Sequence, residues 1–197
     1  MNQALIDAAE RGDTPAVLRL IADGADINAR DARGRTPLLA ATHANRVETA
    51  GALITAGADI DIRDNQKDNP FLYAGAEGLL DILRLLIVAE PDTRITNRFG
   101  GTALIPAAER GHVEVVEELL THTDVDVNHI NNLGWTALLE AVVLSDGGPR
   151  HQQIVQLLID HAADVTIADK DGVTPLQHAH KRGFAEIARM LAQAEAR

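Results

Sequence analysis

The chain has 197 residues with no cysteine, 3% aromatic residues and a formal net charge of −11. Without cysteine it forms neither disulfides nor cysteine-based zinc sites. The acidity argues against nucleic acid as a ligand, because binding to the phosphate backbone depends on lysine and arginine.

The amino-terminal segment and the hydropathy predict a soluble protein. Residues 1–11 lack the basic start and the long apolar core of a secretory signal. No apolar run approaches the roughly 18 residues that a membrane-spanning helix needs. We therefore expect a cytoplasmic protein that does not bind membranes.

The first predicted element is a pair of short helices in residues 2–31. Gly12 is expected to end the first helix, because glycine adopts the left-handed conformation of a helix C-terminus at little cost. Asp13 is suited to cap the second helix, and Pro15 is tolerated in its first turn.

The next two pairs differ at one turn. The second pair, residues 32–64, starts with a turn at Gly34 and a helix capped by Thr36. In the third pair, residues 65–97, Lys67 takes the place of that glycine. A lysine with positive φ is strained. We therefore expect this turn to be remodelled and this pair to be the weak layer.

The later pairs carry a proline and an insertion. In the fourth pair, residues 98–131, Pro106 removes a backbone donor inside the first helix and is expected to distort it. The fifth pair, residues 132–170, is longer by about five residues, and its Gly-Gly-Pro sequence predicts an outward, dispensable loop at 145–151. The sixth pair, residues 171–197, is more polar, as a terminal repeat should be.

The same anchoring position recurs in five of the six pairs, at intervals of 33, 33, 34 and 38 residues: Thr36, Asn69, Thr102, Thr136 and Thr174. With Thr-Pro-Leu at the second and last of the six pairs, this pattern resembles the ankyrin repeat. The resemblance covers essentially the whole chain. It implies an all-α fold in which residues 1–197 form one ankyrin-repeat solenoid of stacked helix-turn-helix pairs with hairpin or β-turn loops, as an elongated monomer.

The residue pattern offers little support for catalysis or metal binding. Ser145 is the only serine, and although Asp146 and His151 follow it, no nucleophile elbow frames them. His178 and His180 point to different faces of a helix, which does not suit a zinc site. The acidic exit segments lack the central glycine and final glutamate of a calcium-binding loop. We therefore predict no enzyme activity, no cofactor and no metal.

In ankyrin-like proteins the partner meets the hairpin tips and the first-helix face, on the concave side. Carried over by position, the predicted partner-binding residues are Arg33, Arg35, Tyr73, Phe99, Leu133, Trp135, Glu140 and His178. We expect the three apolar tip residues at 99, 133 and 135 to form the centre, with the tyrosine and the two arginines as its flank. The alternative is that these apolar side chains pack hairpin against hairpin and stiffen the stack.

The resulting functional prediction is a non-enzymatic protein–protein interaction scaffold that binds a protein partner. The alternative function is that of a regulatory subunit or inhibitor of a partner enzyme. Both rest on the resemblance, which implies a binding surface and does not specify its partner.

Overall fold

In the computed structural model, which describes residues 1–196, the chain forms twelve α-helices and no strand within those residues. The helices are α1 (Asn2–Arg11), α2 (Thr14–Ala22), α3 (Pro37–His43), α4 (Val47–Thr55), α5 (Pro70–Glu77), α6 (Leu80–Val88), α7 (Leu104–Glu109), α8 (Val113–His122), α9 (Ala137–Val143), α10 (Pro149–Asp160), α11 (Pro175–Arg182) and α12 (Ala185–Glu195). The prediction of an all-α fold built from helix pairs is confirmed.

The chain divides into two compact units. Unit 1 is Met1–Arg98, with α1–α6, and unit 2 begins at Phe99, with α7–α12. In unit 1 the first helices pack in a row, α1 on α3 and α3 on α5, and the second helices form another row, α2 on α4 and α4 on α6. Unit 2 repeats this arrangement with α7, α9 and α11 beside α8, α10 and α12. That residues 1–197 act as one domain stays a prediction.

Leucine, isoleucine and alanine fill the space between the two rows of each unit. Leu38 and Leu53 are fully buried in unit 1, and Leu138 and Leu158 occupy matching places in unit 2. Full burial of such a side chain contributes about 1.5–3 kcal/mol. Because a helix pair buries this surface against its neighbours, the stability of each unit is a sum of repeat and interface contributions.

The predicted anchoring residues start most of the first helices. The side chains of Thr36, Asn69, Thr136 and Thr174 each accept a hydrogen bond from the backbone N–H three residues later. Thr102 is the exception, because its buried Oγ1 has no hydrogen-bond partner and its helix begins only at Leu104.

Pro106 accounts for this exception. It has no N–H to donate to the carbonyl of Thr102, four residues earlier. Ile105 N donates to that carbonyl instead, at 3.3 Å, which tightens the first turn toward a 3₁₀ geometry. The predicted distortion of this helix is therefore present, and α7 is the shortest of the described helices, with 6 residues.

The turn at Lys67 keeps the shape of its glycine counterparts. The φ angle of Lys67 is 64°, against 79° for Gly34. Asp64 holds the turn, since its carbonyl accepts from Lys67 N at 3.0 Å and its carboxylate accepts from Asp68 N at 3.0 Å. The expectation that this turn is remodelled is therefore wrong, because these hydrogen bonds oppose the strain of a left-handed lysine.

Replacing Lys67 by glycine should raise the free energy of unfolding by up to about 1 kcal/mol, because glycine relieves the left-handed strain at some entropic cost in the unfolded chain. Urea denaturation followed by circular dichroism measures the change. The matched control is Gln66→Gly, one residue earlier, where φ is not positive and the same substitution should lower stability. If both variants lose stability, the left-handed lysine is not strained.

The insertion in the fifth pair is packed into unit 2. Ser145 is only 5% exposed, and its carbonyl accepts a hydrogen bond from Arg182 Nη2 at 2.7 Å. Helix α10 begins at Pro149, and His151 Nε2 lies 2.9 Å from the carbonyl oxygen of Glu109. The expectation of an outward loop is wrong, because the Gly-Gly-Pro sequence places proline in the first turn of a helix, where it is well tolerated. That the segment is dispensable for folding stays a prediction.

Candidate functional site

Two large apolar side chains of unit 2 are exposed on neighbouring hairpin tips. The exposed fraction is 52% for Phe99 and 53% for Leu133. The backbone N–H of Asn132, next to Leu133, donates to the carbonyl of Phe99 at 2.9 Å. The structure therefore brings together these two predicted site residues, which we call the tip pair.

Trp135 is less exposed than the tip pair. The residue is partly buried, and its backbone closes the turn, since its carbonyl accepts from Asn131 N at 3.0 Å. A tryptophan side chain combines a large apolar body with a polar N–H group. The position of Trp135 is therefore compatible with both roles considered for it from the sequence.

Asn131 organises the tip that carries Leu133. This buried side chain accepts through Oδ1 from the backbone N–H groups of Leu133, at 2.9 Å, and Trp135, at 3.1 Å. Its Nδ2 donates to Glu140 Oε1 at 2.7 Å. The sequence interpretation did not include Asn131, which couples the tip to the first-helix row through α9.

Glu140 is 5% exposed, so the expectation that it faces a partner directly is wrong. Burial, with the neighbouring carboxyl of Glu109 as the next cause, raises the pKa of Glu140 to about 7, and the hydrogen bond from Asn131 opposes this shift. We call Glu109 and Glu140 the carboxyl pair. The negative charge of Glu109 favours a protonated Glu140.

His178 lies on α11 and pairs with a carboxylate at the end of the preceding repeat. Its Nε2 is 2.7 Å from Asp169 Oδ2, and both side chains are largely buried. Hydrogen bonds from the backbone of Val173 and from His178 lower the pKa of Asp169. His178 is therefore engaged by Asp169, and its role in partner binding stays a prediction.

In unit 1 the two arginines predicted to bind a partner differ sharply in their exposure to solvent. Arg33 is exposed, whereas Arg35 is only 4% exposed. Arg35 Nε lies 2.9 Å from Asp31 Oδ2, and Arg35 Nη1 lies 3.0 Å from Glu10 Oε1. The hydrogen bond from Arg35 lowers the pKa of Glu10. The expectation that Arg35 faces outward is therefore wrong, because two carboxylates hold it inside.

Tyr73 packs against the preceding repeat of unit 1. Its ring stacks on His43 with centroids 3.8 Å apart and planes 11° from parallel. Burial, followed by the charge of Arg35, lowers the pKa of His43, so this histidine is neutral at pH 7. The stack leaves Tyr73 partly buried, and its contact with His43 was not predicted.

Within residues 1–196, no group of three or more histidine, aspartate or glutamate side chains has the geometry to hold a metal ion. None of the helices in the same residues has the length and hydrophobicity to cross a membrane.

Comparisons with known proteins agree with this architecture. A family model described as "Ankyrin repeats (3 copies)" matches residues 5–94 and 71–169, and one described as "Ankyrin repeats (many copies)" matches residues 149–192. The chain is 47% identical to YahD of Escherichia coli (strain K12), an ankyrin repeat protein by name, over 96% of this chain and 94% of that protein.

Two crystal structures resemble the fold closely. An ankyrin repeat domain from Acinetobacter baumannii AYE has a TM-score of 0.94 and 51% identity, with 97% of each chain covered. The ankyrin repeat protein EF0377 has a TM-score of 0.94 and 42% identity, with 98% of each chain covered.

Proposed function

Because this chain belongs to the ankyrin-repeat family, we propose that it is a non-enzymatic scaffold whose tip pair binds a protein partner. Ankyrin repeats are generally protein-interaction modules. The proposal includes a cytoplasmic monomer, and the net charge of −11 favours a protein over a nucleic acid as its ligand.

One observation carries this proposal. Phe99 and Leu133 are apolar residues on hydrogen-bonded neighbouring tips, and each has an exposed fraction above one half. Covering such side chains contributes about 25 cal/mol for each Å² of apolar area removed from water. We assign Trp135 to the base of the same site, since aromatic residues are enriched among those that contribute most to binding.

A double substitution tests the proposal. Phe99→Ser together with Leu133→Ser should reduce partner binding at least about 30-fold, the equivalent of the roughly 2 kcal/mol that defines an important interface residue. Tagged wild-type and variant proteins are used to capture partners from a native lysate, and quantitative mass spectrometry compares the proteins retained. The matched control is Val88→Ser in unit 1, where the side chain is 84% exposed.

Circular dichroism shows whether each variant keeps its fold. The proposal fails if the folded double variant retains every partner that the wild type and the Val88→Ser control retain. If the partner is an enzyme whose activity changes on binding, the result supports the alternative function of a regulatory subunit or inhibitor.

A further inference from the structure

The two units share a glutamate at one position of the repeat but differ in the residue that faces it. Glu10 lies in the last turn of α1, and Glu109 ends α7, at the same place in the repeat. In unit 1, Glu10 binds the guanidinium of Arg35, the residue between Gly34 and Thr36. In unit 2, the residue between the matching glycine and threonine is Trp135. The carboxylate of Glu109 therefore has no arginine from that position.

Glu109 meets a second carboxyl group instead. After burial, the groups that shift the pKa of Glu140 are Glu109 on α7 and Asn131 in the turn before α9, and neither is a cation. On α10, His151 contacts the backbone carbonyl of Glu109, and on α11, His178 is paired with Asp169. Glu109 thus repeats the carboxylate of Glu10 without an arginine from the following turn, and the second carboxyl group, Glu140, stands at the position that Ala40 occupies in unit 1.

The carboxyl pair is connected to the exposed tip by a short chain of hydrogen bonds. Asn131 Nδ2 is 2.7 Å from Glu140 Oε1, and Asn131 Oδ1 accepts from Leu133 N at 2.9 Å. Glu109 is the more accessible member of the pair, because it is partly exposed while Glu140 is buried. The carboxylate of Glu109 is therefore open to a partner segment that extends from the tip.

We propose that the partner of this chain presents an arginine to the carboxyl pair and an apolar side chain to the tip pair. The inference rests on the proposed function and specifies the chemistry of its ligand. Arginine suits the pair because its planar guanidinium binds carboxylates in a bidentate geometry, as Arg35 does with Glu10 in unit 1. The net charge of −11 also favours the approach of a basic segment.

The proposal predicts that arginine binding depends on the protonation of Glu140. Burial and Glu109 raise the pKa of Glu140 to about 7, so near neutral pH Glu140 is partly protonated. A bound guanidinium favours the ionised form of Glu140, so binding releases the proton of this carboxyl group to the buffer. Affinity for an arginine-containing ligand should therefore increase as the pH rises from 6 to 8.

The test selects ligands from a displayed library of random peptides of 12 residues. Peptides enriched on the wild-type protein should combine arginine with apolar residues. Selection on the Glu109→Gln, Glu140→Gln double variant should keep the apolar preference and lose the arginine preference. The matched control, Glu114→Gln with Glu117→Gln, removes two exposed charges on α8 and should select the same peptides as the wild type.

A second measurement does not depend on any variant of the protein. In an enriched peptide, arginine is replaced by citrulline, which keeps the shape and loses the charge. Its affinity for the wild-type protein at pH 8 should fall at least tenfold, and the increase in affinity between pH 6 and 8 should disappear.

The outcomes separate this inference from the proposed function. Enriched peptides that are apolar without arginine, or a citrulline peptide that binds as tightly as its parent, overturn the inference and leave the proposed function standing. An arginine preference that persists in the Glu109→Gln, Glu140→Gln variant also overturns it. If no peptide is enriched, or enrichment is unchanged by Phe99→Ser and Leu133→Ser, both proposals fail.

Discussion

Replacing Arg35 by alanine lowers the free energy of unfolding by about 3 kcal/mol, the lower end of the range for breaking a buried ion pair. The Arg35 side chain is 5% exposed and that of Asp31 8%, so the substitution leaves a buried carboxylate without its cation. The value is at the lower end because the Glu10 side chain is 43% exposed and water compensates part of its loss.

Arg33→Ala is the control for this substitution, because it removes the same side chain two residues away at an exposed position. Its effect should stay within about 0.5 kcal/mol. Urea denaturation of both variants, followed by circular dichroism, gives the comparison. Equal losses for the two arginines would show that Arg35 does not hold the first two repeats together.

Replacing Glu140 by glutamine stabilises the protein at pH 8 by up to about 3 kcal/mol and has little effect at pH 4.5. Burial first, and Glu109 second, raise the pKa of Glu140 from 4.5 to about 7. The folded state therefore binds a proton more tightly than the unfolded state. The stability that protonated Glu140 contributes to the folded state is complete below pH 4.5, decreases between pH 4.5 and 7, and is absent above pH 7.

Glutamine keeps the favourable contacts without the charge. Its carbonyl accepts from Asn131 as Glu140 does, and its amide can donate to Glu109. The measurement is the difference in unfolding free energy between wild type and variant as a function of pH, which cancels the titration of other groups. Glu114→Gln, at an exposed position on α8, should show a difference that does not change over this range. The explanation fails if the difference in unfolding free energy between wild type and Glu140→Gln is also independent of pH.

Local hydrogen bonding made much of the fold predictable. The caps at Thr36, Asn69, Thr136 and Thr174 involve residues three positions apart, and their regular spacing predicted the repeating helix pairs. The distortion caused by Pro106 was predictable for the same reason, since it depends on a carbonyl four residues away.

The side chains of the candidate site were less predictable because their partners lie in other repeats. Arg35 binds Glu10, 25 residues earlier, and a sequence alone does not distinguish it from the exposed Arg33. Ser145 is fixed by Arg182, 37 residues later. The exposure of Phe99 and Leu133 follows from the position of the tips and was expected, whereas the burial of Glu140 by neighbouring helices was not.

Photo-crosslinking from the tip tests the central proposal most directly. A benzoylphenylalanine residue replaces Leu133, or replaces Val88 as a control, since both side chains are exposed. In a native lysate, we expect position 133 to form a specific adduct with a protein partner and position 88 to form none. Adducts from position 88 alone, or the same adducts from both positions, would contradict binding at the tip pair.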